Sequence, residues 1–166
     1  MWKLPVVFVC ENNLYMEYTP IGDVTPVKRP AADRAASYGL EPIVVDGNDA
    51  DACYLVAQTA YERARRGEGP SLIEALTYRH GGHSRADPAK YRPDDEVAAW
   101  MKRDPIPMYR ARLLADGVDE ATLVRIEDAA KTEIDAAAEA AKNGPPPGEE
   151  LLLKDTWADG TSTWRN

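Results

Sequence analysis

Cysteine is scarce: Cys10 and Cys53 are the only two in 166 residues, and they do not form a close pair. That is too few for a secreted disulfide scaffold and suits a reducing compartment. The N-terminal apolar run Pro5 to Cys10 is too short to span a bilayer. It also lacks a basic start and a small-residue cleavage site, so it does not read as a signal peptide. Basic residues are outnumbered, 20 Lys and Arg against 28 Asp and Glu, giving a net charge of −8. With a pI near 4.8 the chain lacks the positive field that nucleic acid or anionic lipid would want. Internal repeats and long low-complexity tracts are missing too. These absences point to a soluble, cytoplasmic protein with no nucleic-acid or membrane partner. Hydrophobic residues are plentiful at 44%, which excludes a disordered chain and is enough for a core. The length fits one domain or a large piece of a bigger one.

The run Val6-Val7-Phe8-Val9-Cys10 is apolar and β-branched, the pattern of a strand buried on both faces. It stops at the polar turn Glu11-Asn12-Asn13. A second strand is expected over Pro42 to Val45 and a third over Leu72 to Tyr78. Between them, Asp49 or Asp51 can cap a helix to about Arg66, with Ala52, Leu55, Val56, Thr59 and Ala60 on one face. Gly67 and Gly69-Pro70 end it. Strand, helix, strand argues for parallel crossovers in an α/β fold. The Pro-rich segment from Thr19 to Ser37 reads as a loop leading to a short helix near Ala31 to Tyr38.

After Tyr91 only helices are expected. Pro93-Asp94-Asp95-Glu96 gives an acidic first turn, with Val97, Trp100 and Met101 as an apolar stripe. Another helix covers about Pro107 to Ala115. The longest runs from Asp119 to Lys142, with Leu123, Ile126, Ala130, Ile134, Ala137 and Ala141 at helical spacing. Asn143-Gly144-Pro145-Pro146-Pro147 stops it. The expected organisation is a partial α/β domain over 1–92, a helical region of the same domain over 93–148, and an extended tail over 149–166. In that tail Trp157 and Trp164 read as docking residues.

Ligand contacts in an α/β sheet cluster on loops at the carboxyl ends of strands. Two such ends are unusually polar. Around Asn12 and Asn13, a neutral amide oxygen could sit beside a phosphate-bound Mg²⁺, or the asparagines could simply bond their own backbone in a turn. The second tract runs from Thr77 to Pro88 and holds both histidines, His80 and His83, with Arg79, Arg85 and the adjacent Gly81 and Gly82. Glycines admit close approach of the backbone, while His and Arg donate to phosphate oxygens, so an anion site is one reading. Zinc on the His-x-x-His spacing is another, and a solvated polar loop a third.

Several stretches occur together in a known order: Trp2-Lys3-Leu4-Pro5 through Glu11-Asn12-Asn13-Leu14-Tyr15, Val45 to Asp49, Gly69 to Glu74, Tyr78-Arg79 through His83-Ser84 to Asp87-Pro88, and Asp104-Pro105-Ile106. From Met1 to about Ala140 the chain resembles the alpha subunit of the dehydrogenase component of pyruvate, branched-chain 2-oxo acid or acetoin dehydrogenase complexes. The resemblance implies the C-terminal half of a thiamin diphosphate-binding fold, with thiamine diphosphate and Mg²⁺ as cofactors. It implies oxidative decarboxylation of a small 2-oxo acid, or cleavage of acetoin, with the acyl group passed to a lipoyl disulfide acceptor. The implied partners are a beta subunit, in a heterotetramer of two alpha and two beta chains, and a lipoyl acyltransferase.

By the same resemblance Asn13 is the side-chain Mg²⁺ ligand and Tyr15 gives its backbone carbonyl to that ion. His83 holds the cofactor diphosphate and serves the active-site loop. Ser84 matches a serine that some members expose to phosphorylation, which would add about −1.5 to −2 charge beside a diphosphate. Pyruvate members often carry histidine where this chain has Gly81, and Met16-Glu17-Tyr18-Thr19-Pro20 is nearer acetoin-type or uncharacterised bacterial members. The family's Gly-Asp-Gly turn, whose aspartate is the charged Mg²⁺ ligand, would fall before Met1. The sequence is therefore expected to lack that side of the metal site, and the competing expectation is an inactive fragment acting at most as a subunit-interaction module.

Overall fold

The computed structural model describes residues 1–152 and Lys154. Two compact units divide the chain, Met1–Gly117 and Val118–Asn166.

The first unit is α/β, as the sequence leads one to expect of a thiamin diphosphate-binding fold. Its sheet has three parallel strands, β1 (Val7–Asn12), β4 (Ile43–Asp46) and β5 (Ser71–Leu76), in the order β1-β5-β4. A small antiparallel pair, β2 (Tyr15–Met16) and β3 (Thr19–Pro20), follows β1 directly. Short helices α1 (Ile21–Val24) and α2 (Ala32–Ser37) fill the Pro-rich segment.

The β4–β5 crossover is α3 (Ala50–Arg65), which starts where the Asp49 carboxylate accepts the Ala52 N–H at 3.0 Å. That bond satisfies one of the first-turn donors a helix leaves open. The helix ends on Gly67, whose φ of +71° places it in the left-handed region. There Gly67 N donates to Ala64 O and Glu68 N to Arg63 O, closing the last turn. Val45, Ile73 and Ala60 form the core, with Val7, Ile43, Ala52, Cys53 and Val56 against them. Leu55 and Thr59, expected on the buried face of α3, are exposed instead, and Ala64 is buried in their place.

Neighbouring residues of β5 face opposite sides of the sheet, so Ile73 meets α3 while Glu74 points to α2. β1 departs from expectation. It is an edge strand, and Phe8 (54% exposed) and Val9 (62%) leave both of its faces open. Apolar runs are the mark of strands covered on two sides, and among the described residues nothing covers these.

Helices α4 (Asp94–Met101) and α5 (Pro105–Ala115) complete the unit. Buried Asn48 fixes them to the sheet: its amide donates to Arg103 O at 2.8 Å, and its oxygen accepts the Thr77 hydroxyl at 2.9 Å. Asp46 adds a 2.5 Å ion pair with Arg103.

The second unit is dominated by α6 (Glu120–Asn143), capped by Asp119, which accepts the Thr122 N–H at 2.8 Å. It stops at Gly144 in an extended conformation (φ −67°, ψ 146°), the geometry that the following Pro145 imposes. Glu149–Leu152 forms a short 3₁₀ turn. The rest of the tail, with Trp157 and Trp164, lies outside the described residues. No described helix is long and apolar enough to cross a membrane.

Candidate functional site

Both polar tracts leave the same, carboxyl edge of the sheet, because β1 and β5 run parallel in register from Val7↔Ser71 to Asn12↔Leu76. The first tract is a double turn. Asn12 Oδ1 accepts the Leu14 N–H and Asn13 Oδ1 accepts the Tyr15 N–H, each at 3.0 Å. Leu14, at φ +70°, occupies the left-handed backbone that such a turn needs. The turn reading of the asparagines is therefore correct as geometry. It does not exclude a metal role, since an amide oxygen has a second lone pair.

Buried Asn12 is held by Glu74, the one large side chain fully buried among the described residues. Asn12 Nδ2 donates to Glu74 Oε1 at 2.7 Å, while Glu74 Oε2 accepts the N–H groups of Ala32 (2.8 Å) and Ala31 (3.1 Å).

The second tract folds back over the first. His83 stands edge-on to Tyr18, with ring centroids 5.8 Å apart. Its Nε2 lies 3.4 Å from Glu17 Oε1 and its Nδ1 3.4 Å from an Arg79 nitrogen. Arg79 can only donate, so Nδ1 is the acceptor and the neutral ring carries its proton on Nε2. Arg79 also donates to Glu17 O (2.6 Å) and to the Tyr91 hydroxyl (2.7 Å). Asp87 closes the loop, accepting from His83 N at 2.6 Å, Ala89 N at 2.8 Å and the Tyr91 hydroxyl at 2.8 Å. Burial works against the Asp87 charge, but those three donors hold its carboxyl below the usual range. Buried Arg92 donates to the carbonyls of Arg79 and His80.

Between the tracts lies an aromatic joint. Tyr15 meets Tyr78 edge-on at 6.2 Å, and Tyr78 stacks on Trp100 at 5.2 Å. The hydroxyls of Tyr15 (2.8 Å) and Tyr78 (2.7 Å) donate to the same oxygen of Glu96. Burial, then the bond to Glu96 and its charge, push both phenols up to about 12. Beside this joint is a cleft of about 400 Å³ bounded by Leu14, Tyr15, Ile21, Tyr91, Glu96 and Trp100.

The structure thus brings the segments of Asn13, Tyr15 and His83 together, while His80 turns elsewhere, its Nδ1 3.6 Å from Asp104. A zinc pair of His80 and His83 finds no third His, Cys, Asp or Glu ligand among the described residues. Sequence reading missed Glu96, Arg92 and Tyr91. The available signal was the tyrosines: four of the eight, Tyr15, Tyr18, Tyr78 and Tyr91, pack at this one site.

The donor set suits the expected groups in part. Asn13 and the Tyr15 carbonyl are hard neutral oxygens of the kind Mg²⁺ takes. Arg79, His83 and Arg85 gather hydrogen-bond donors, two of them cationic, within seven residues of an acidic chain, and Glu17, 61% exposed, already presents an anionic oxygen to His83.

The family model described as dehydrogenase E1 component matches residues 1–150. The chain is 38% identical over 163 residues to a pyruvate dehydrogenase E1 component subunit alpha of Porphyra purpurea, covering 96% of this chain and 46% of that one. It is 40% identical over 158 residues to the alpha subunit of an acetoin:2,6-dichlorophenolindophenol oxidoreductase of Bacillus subtilis, covering 95% and 47%. A 3-methyl-2-oxobutanoate dehydrogenase subunit alpha of Mycobacterium tuberculosis is 46% identical over 119 residues, 71% of this chain and 32% of that one. The chain therefore spans about half the length, or less, of these relatives, and it belongs to the dehydrogenase E1 component family.

Proposed function

We propose that this chain supplies the alpha-subunit share of a thiamine-diphosphate-dependent 2-oxo acid dehydrogenase of pyruvate or acetoin type, acting with a beta subunit and a lipoyl acyltransferase in the cytoplasm. The observation that carries this reading is the convergence of the Asn13–Tyr15 turn and the His83 loop at one edge of the parallel sheet. Asn13 Oδ1 and the Tyr15 carbonyl would hold Mg²⁺. His83 would donate from Nε2 to a diphosphate oxygen once Glu17 swings aside. When bound, thiamine diphosphate supplies the nucleophilic carbon and electron sink for decarboxylation. The residues here position and neutralise; the lipoyl disulfide is the acyl acceptor.

A second reading, an interaction module without catalysis, draws on the exposed Phe8 and Val9 of β1, a strand edge and apolar surface suited to burial against another protein element. Calorimetric titration with thiamine diphosphate and Mg²⁺, with and without a beta subunit, separates the two. Saturable binding in either arm supports the cofactor reading. Co-purification of the subunits with no binding in either arm overturns it and leaves the interaction module.

A further inference from the structure

Glu96 joins parts of the chain that sequence reading kept apart. It lies in the first turn of α4, after the two polar tracts, yet one of its oxygens takes the hydroxyls of Tyr15 and Tyr78 together. Tyr15 belongs to the turn that carries Asn13, and Tyr78 opens the loop that leads to His83. We infer that Glu96 is a positioning residue that fixes the proposed metal turn and the proposed diphosphate loop relative to one another. The inference rests on the cofactor reading above only for its consequence. The link itself is a matter of this chain's geometry.

Three features support it. Both bonds end on a charged acceptor and are short, the class that contributes most per bond. Each ring has packing of its own beyond their mutual edge-on contact, since Tyr78 is stacked on Trp100 of the same helix while Tyr15 also leans on Tyr91 at 5.9 Å. The Glu96 side chain also borders the open cleft beside Tyr15, so a change there is felt at the site and not in the Val45–Ile73 core.

The test compares Glu96→Ala and Glu96→Gln in the full chain, reading amide hydrogen exchange over residues 13–18 and 78–85 as well as Mg²⁺-dependent thiamine diphosphate binding. Glu96→Ala should speed exchange in both segments about tenfold and weaken binding by a similar factor, because each lost charge-assisted bond is of that order. Glu96→Gln keeps an acceptor oxygen and should restore most of both. Unchanged exchange in either segment, or equal damage from Gln and Ala, would overturn the inference. Should Glu96→Ala fail to fold, Tyr15→Phe and Tyr78→Phe take its place. Each alone should loosen the partner's segment as well as its own, and purely local effects would overturn the link. If the unaltered chain binds no cofactor with a beta subunit present, the cofactor reading fails, while the exchange data still decide the role of Glu96.

Discussion

The Asn12 amide and the Glu74 carboxylate meet at 2.7 Å on one face of the sheet, across the β1–β5 pairing. The same carboxylate accepts two N–H groups at the start of α2, a helix with no side-chain cap of its own. One buried acid thus fixes the end of β1, just before Asn13, to both β5 and α2. Glu74→Gln must point an NH₂ at one of these donors, and Glu74→Ala strands all three. The expected loss is about 1–3 kcal/mol for Gln, which opposes one donor, and about 3 kcal/mol or more for Ala, which strands three, since each buried donor left unpaired costs about 1–3 kcal/mol. A urea midpoint within error of the unaltered chain would refute this account.

The tyrosine pair on Glu96 predicts an alkaline signature. Both phenols ionise at about 12 in the fold against 10.0 for an ordinary tyrosine. The raised values mean that the fold favours the neutral form. Their contribution to stability is full below pH 10 and is lost as the pH rises towards 12. Absorbance at the phenolate band should show a late-titrating class that includes Tyr15 and Tyr78, with Tyr91 also raised by burial and its bond to Asp87, and Tyr109 by its bond to Asp51. Glu96→Gln should bring Tyr15 and Tyr78 part of the way back, because it removes the charge but not the burial that is the larger cause. A single titration step for all tyrosines would contradict the geometry.

Much of the fold was legible because its signals are local. Asp49, Gly67 and Pro145 announce the ends of α3 and α6 within a few residues of where they act. The two polar tracts were legible for a similar reason: strand ends in an α/β sheet are where polar turns gather. Glu74 and Glu96 were opaque. One lies in an apolar strand and the other in an acidic helix start, and each acquires its role from residues brought near only by folding. The exposure of Phe8 and Val9 was opaque for the opposite reason. An apolar strand signals a need for cover, but not whether this chain provides it.

Gly81 and Gly82 look equivalent in sequence, and the structure separates them. A Cβ on Gly82 would fall against the Asp87 carbonyl oxygen and 2.8 Å from its carboxylate, whereas one on Gly81 meets nothing within 4 Å. Gly82→Ala should therefore push Asp87 off His83 N, at a cost of about 1–3 kcal/mol to the local loop. Exchange of the His83 amide should quicken and cofactor affinity should fall, while Gly81→Ala should be silent in both. Equal behaviour of the two variants would rule out the Asp87 clamp as the reason for the glycine.

His83 faces Glu17 through Nε2 and Arg79 through Nδ1, so its free proton points at an anion that can leave. If a diphosphate oxygen takes that place, His83→Ala removes one donor and should weaken thiamine diphosphate binding about tenfold. Glu17→Gln should act in the other direction. It removes a competing carboxylate from an exposed pair, whose strength limits the gain to about threefold. Calorimetry on the two variants, with a beta subunit present, reads both changes. Opposite signs are the outcome that matters, because general damage to the loop would weaken binding in each. A Glu17→Gln variant that binds more weakly would mean that the carboxylate orients His83 and does not stand in for the ligand.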